Sequence, residues 1–178
     1  MANAAAPQSF SIRPARPGDE RALFGLIRAL ADYEQLSQAV SGSPEKLASH
    51  LFGPRPAAEA LLAEAGGRPV AFALYFPNYS TFLTQPGLYL EDLFVLAEYR
   101  RRGLGKALLS AVAQVAKDRD CGRLEWSVLD WNASAISFYQ SVGASVLPDW
   151  RICRVAGDRL AALASSPSPT VPSTFDAR

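Results

Sequence analysis

The 178-residue chain is sized for one domain that buries a core without staples, and its 49% hydrophobic and 20% charged content is that of an ordinary globular protein. A formal net charge of +1 gives no overall electrostatic case for a nucleic-acid or membrane-surface protein. No apolar run reaches membrane-spanning length, and Met1–Ser9 lacks the basic and apolar regions of a secretory signal, so the expected compartment is the cytoplasm.

Both ends read as tails: 1–9 carries Ala, Asn and Gln, and 165–178 is rich in Ser, Pro and Thr, a composition that builds no packed core. The domain is expected to span 10–164. Ser9–Ala15 reads as a first strand, ended by Pro14 and Pro17. Gly18-Asp19-Glu20 starts a helix whose Leu23, Leu26, Ile27, Leu30 and Tyr33 keep helical spacing, with Tyr33 expected in the core. Ser43-Pro44-Glu45 starts a second helix, with a cap residue followed by Pro in the first turn. The only histidine, His50, sits near its end and is expected on the surface. Strands at 60–65 and 69–76 flank the turn Gly66-Gly67, a hairpin signal. Pro77–Gly87 reads as a loop, and Leu88–Leu96 as the strongest strand.

A helix follows over 103–117, with Leu104, Leu108, Ala111 and Val115 on one face. Arg123–Leu129 reads as a strand and Ala133–Val142 as a helix capped by Gly143. Strands at 144–147 and 150–156 complete the sheet. The predicted class is α/β, a mixed sheet covered by helices. Cys121 and Cys153 fit no metal or redox spacing and are expected to be two buried thiols; no metal site is expected.

The most informative stretch runs from Leu90 to Leu109. An apolar strand carrying Glu91 and Asp92 enters the turn Arg100-Arg101-Arg102-Gly103-Leu104-Gly105, which opens into a helix. Free backbone N–H groups, the positive end of a helix dipole and three guanidinium groups there suit a pyrophosphate. A Walker A loop is excluded because Ala107 follows Lys106, and the dinucleotide fingerprint because Leu108 stands where its third glycine belongs.

This segment resembles the acetyl-CoA-binding motif of the GCN5-related N-acetyltransferases. The likeness extends through Trp126–Asn132, Ala135–Tyr139 and Gly143-Ala144, and takes in 30–34, 79–82 and 149–151. Together these resemble the diamine branch of that superfamily, which includes spermidine/spermine and thialysine acetyltransferases. The resemblance implies a central sheet whose strands around Glu91 and 123–129 splay into a wedge for the pantetheine arm. It implies acetyl-CoA as donor, bound through Leu93, Phe94 and Val95, the loop Arg100, Arg101, Arg102, Gly103, Leu104, Gly105 and Lys106, and Asn132, Ser134 and Tyr139. Glu34, Glu91, Asp92, Asn132 and Trp150, with Asp149 nearby, match the acceptor side. Two departures stand out: Arg101 and Arg102 replace the small residues usual inside the loop, and the stretch between Leu51 and Ala60 is short and Pro/Ala-rich.

Acetyl transfer to an amine needs a neutral amine and a proton for the leaving thiolate. A primary amine titrates near ~10.4, so its deprotonation at neutral pH costs on the order of 4–5 kcal/mol. Glu91 is the expected base, directly or through water; strand alternation puts it with Tyr89 and Leu93, and Asp92 with Leu90 and Phe94. Tyr139 is the expected general acid, since a phenol stays protonated at neutral pH. Asn132 is expected to cap the helix carrying Tyr139 and to bond the pantetheine or the acceptor. Neither cysteine has a histidine near it in sequence, so direct attack in a ternary complex is expected. The acceptor reads as a polyamine or a lysine-like amino acid. Protein or peptide acetylation, and a silent acyl-CoA sensor, are the alternatives. The resemblance also implies a homodimer; no nucleic-acid or membrane partner is expected.

Overall fold

A computed structural model of the chain describes residues 9–165, so the expected tails lie outside the described residues except for Ser9 and Ser165. The chain divides into two compact units after Ala135. The first holds β1 (Phe10–Pro14), α1 (Glu20–Tyr33), α2 (Pro44–Phe52), β2 (Glu59–Ala65), β3 (Arg68–Ser80), β4 (Gln85–Val95), α3 (Leu104–Asp118) and β5 (Leu124–Glu125). The helix α4 (Ala133–Ser141) begins in this unit and ends in the second, which also contains α5 (Asp158–Ala164). Among the described residues, no helix is long and apolar enough to cross a membrane.

The sheet runs in the order β1-β2-β3-β4-β5, antiparallel except for the β4–β5 pair. Gly66 and Gly67, at φ +58° and +75°, make the β2–β3 hairpin turn, since paired positive φ angles match the strand twist. On one face, Phe72, Phe94, Ala60 and Leu62 pack with Leu23 and Leu26 of α1 and Leu51 of α2. On the other, Ala71, Ala73 and Leu90 are buried, as are Leu104, Leu108 and Val112 of α3. Asp19 does not cap α1 with its side chain; it pairs with Arg13, which also holds Glu64, and so ties the helix entrance to β1 and β2. Ser43 caps α2 by accepting the Lys46 N–H.

Three expectations are corrected. Residues 77–87 are no loop: β3 continues to Ser80, β4 begins at Gln85, and only 81–84 turn. Pro77 is tolerated because the β2 ladder has ended at Tyr75, so no partner on that side needs its missing N–H. The strand expected over 123–129 is only Leu124–Glu125, its pairing with β4 ending at Tyr89↔Glu125. Residues 144–147 and 150–156 form no strand. Val146, Leu147, Trp150 and Ile152 are exposed there, so apolar composition without a ladder partner or a buried face makes no strand.

Candidate active site

The strand β4 carries one residue too many for its partner. Leu74 lies opposite Asp92 and Tyr75 opposite Leu90, so Glu91 bulges between them. A bulge bends the strand and reverses the alternation beyond it. The expected faces are therefore corrected. Leu90 shares a face with Tyr75 towards α3, whereas Asp92 and Phe94 share a face with Leu74 and Phe72 towards α1.

The bulge brings acids together. Glu34 caps the C-terminal end of α1, Asp92 is half-buried beneath it, and Glu91 is exposed on the bulge. Burial, and after it the negative charges of Glu91 and Glu34, together push the Asp92 carboxyl up to about 7. Burial also raises Glu34. These three groups thus form a patch where a cation is electrostatically favoured and where one carboxyl holds a proton near neutrality.

An aromatic wall adjoins them. Tyr33 is not a core residue: it is 38% exposed, with its ring 6.1 Å from that of Trp131 and the Arg100 guanidinium 4.3 Å from its centroid. Tyr33 is the last residue of α1, where its ring packs on Trp131 and Arg100 and not in the core cluster. This cluster was missed in the sequence, where Tyr33 differs from its apolar neighbours only by standing next to Glu34.

The other edge of β4 is open beyond Tyr89, where β5 stops. Leu96 N–H bonds Val70 O on β3, so by alternation Leu93 and Val95 turn their backbone groups to the open edge and Phe94 turns its own to β3. Phe94 is 5% exposed, with its ring in the core. Beyond the strand, Arg101 adopts φ +60° and Gly103 φ +83°, and no side chain caps the start of α3. Arg101, Arg102 and Lys106 are exposed around this uncapped turn and Leu104 is buried beneath it. The N–H groups and cations suit a pyrophosphate. Gly103→Ala is expected to cost about 1–2 kcal/mol from the left-handed conformation and to weaken CoA binding in a titration.

Asn132 Oδ1 accepts the Ala135 N–H at 3.2 Å, and this cap starts α4; Ser134 is exposed in its first turn. In the second unit, Tyr139 is half-buried with its ring 5.2 Å from that of Phe138. Gly143 at φ +94° ends the helix, with Gly143 N–H bonded to Gln140 O and Ala144 N–H to Tyr139 O. Trp150 is 77% exposed and Asp149 is exposed beside it. His50 is exposed, as expected. Both cysteines are free, but Cys121 is only half-buried and Cys153 is exposed, which corrects the expectation of two buried thiols.

The bulged fourth strand, open on one edge past Tyr89 and running into the uncapped start of α3, thus frames one candidate site. Residues 27–144 match the acetyltransferase (GNAT) family, and the chain belongs to that family. It is an N-acetyltransferase, and members of the family use acetyl-CoA. A thialysine N-epsilon-acetyltransferase of Bos taurus is 40% identical over 164 residues, covering 86% of this chain and 96% of that protein. An L-ornithine N5-acetyltransferase of Arabidopsis thaliana is 35% identical, covering 85% of this chain and 86% of that protein. Among solved structures, an integron cassette protein from the mobile metagenome of V. cholerae superposes with a TM-score of 0.74 at 27% identity, covering 89% of this chain and 99% of that one.

Proposed function

We propose that the protein transfers the acetyl group of acetyl-CoA to a primary amine of a small molecule, a polyamine or an amino acid of the lysine and ornithine type, within a ternary complex. The observation that carries this is the carboxylate patch of Glu34, Glu91 and Asp92 at the β4 bulge, on the strand whose edge is open past Tyr89. The names of the thialysine and ornithine relatives support the amino-acid form.

In this reading, acetyl-CoA supplies the activated acetyl group. The loop from Arg101 to Lys106 holds its phosphates, and the outward backbone groups of Leu93 and Val95 hold its arm. The carboxylates of Glu34 and Glu91 hold the ammonium form of the acceptor. Asp92 takes the proton: its carboxyl titrates at about 7, much nearer the amine than an ordinary carboxyl does. Expectation gave that role to Glu91, and burial favours its neighbour. Tyr139 keeps a proton at Oη for the departing sulfur.

Two-substrate initial rates test the reading with thialysine and L-ornithine as acceptors. Intersecting lines are expected; parallel lines would point to a covalent acyl-enzyme and sink the ternary complex. Glu91→Gln is expected to raise KM for the amine by about 10-fold with a smaller change in kcat, through loss of a charge-assisted contact.

A further inference from the structure

We infer that Arg100 is a positioning residue that couples the phosphate loop to the acceptor wall, its guanidinium being engaged inside the protein and not on the phosphates. The inference rests on the proposed reading of the loop as the donor site and of the carboxylate patch as the acceptor site.

Four contacts carry it. Arg100 Nε donates to Val95 O at 2.9 Å, on the open edge of β4. The guanidinium lies 4.3 Å from the Tyr33 ring centroid and 5.5 Å from that of Phe94. Tyr33 in turn meets Trp131 at 6.1 Å. Tyr33 is the last residue of α1 and precedes Glu34, while Trp131 precedes the Asn132 cap of α4. One planar cation thus touches the donor strand, the core and the helix end that carries an acceptor carboxylate. Its neighbours Arg101 and Arg102 are exposed and free of that duty, Arg102 lying 5.5 Å over Tyr99. Lysine keeps the charge at this position but has no flat face to lie on Tyr33 and no fork to hold Val95 at the same time.

The consequence is a preference for order. Fixing the loop fixes Arg100, Arg100 fixes Tyr33, and the turn carrying Glu34 becomes rigid before the amine arrives. A ligand on the loop should therefore quiet the end of α1.

Hydrogen exchange of the full-length protein, with CoA as the only ligand, tests this without any acceptor. In the wild type, CoA is expected to slow exchange both at 100–106 and at 30–36. In Arg100→Lys the first protection should persist and the second should vanish, with CoA affinity within about threefold of wild type by calorimetry. Tyr33→Leu should behave as Arg100→Lys does, and Tyr33→Phe, which keeps the ring, as the wild type. Equal protection of 30–36 in wild type and Arg100→Lys, or none in the wild type, overturns the inference. So does a loss of CoA affinity of about 10-fold or more in Arg100→Lys, because the guanidinium would then be a phosphate ligand. Absence of CoA binding to the wild type instead removes the donor reading of the loop itself.

Discussion

Asp92→Asn is expected to produce a protein that is more stable than the wild type at pH 8 and nearly inactive. The Asp92 carboxyl titrates at about 7 in the folded protein, against roughly 3.9 in an unfolded chain. Between those values the folded state holds a proton that the unfolded state has lost, so stability falls as pH rises through that window. Above it, a buried negative charge stands beside Glu34 and Glu91 and works against the fold. Asparagine keeps the shape and removes the charge. A gain of about 1–3 kcal/mol at pH 8 is expected, with the two proteins converging near pH 4. At this chain length that is roughly 2–4 °C in Tm per kcal/mol. Turnover should fall by about 10²–10³-fold, the usual contribution of a positioned base. Calorimetric melting at both pH values, with amine-dependent rates alongside, reads out both halves. An Asn variant no more stable at pH 8 than at pH 4, relative to wild type, would mean that the charge is not buried as described.

Tyr139→Phe removes a hydroxyl and little else. The ring keeps its place beside Phe138, 5.2 Å away, and the helix end keeps its Gly143 cap. We expect kcat and kcat/KM to fall together by about 10²-fold, since a general acid acts only as the thiolate leaves. The affinity for CoA in a direct titration should stay unchanged. A variant with wild-type kcat removes Tyr139 from the chemistry, and one with lost CoA affinity makes it a binding residue.

These two residues also show what could be read before the fold was seen. Local signals were legible where one residue type does one job. Gly66-Gly67 turned as a hairpin, Ser43-Pro44 capped and opened a helix, and Gly143 closed one. The loop from Arg100 to Gly105 was legible because strand, glycine and helix follow in order. The bulge at Glu91 was not legible as such, because it depends on the register of β3 against β4, and register is a property of two segments. Without it Leu90 is placed on the face of Asp92 and Phe94, where the register puts it on the opposite face with Tyr75. The β3–β4 turn was hidden for a related reason. Thr84 takes φ +53° where a glycine would have signalled the turn, and Ser80 Oγ supports it by accepting the Leu83 N–H. The strands expected after Gly143 failed because an apolar run states a preference for burial, not the partner that provides it.

The resemblance led to the expectation of a small residue at Arg101, whose backbone takes φ +60°. The loop keeps its left-handed conformation there nonetheless. Exposure of Arg101 and Arg102 makes the turn more basic than a glycine-rich version.

Product identification by mass spectrometry, after incubation with acetyl-CoA and, separately, spermidine, putrescine, lysine, L-ornithine, thialysine and a lysine peptide, decides whether the acceptor is a small amine. Thiol release is followed in parallel, with an enzyme-only blank for Cys121 and Cys153. We predict one acetylated small amine for each CoA released, and no comparable product from the peptide. CoA binding without acetylation of any small amine, or turnover of the peptide alone, would contradict the account.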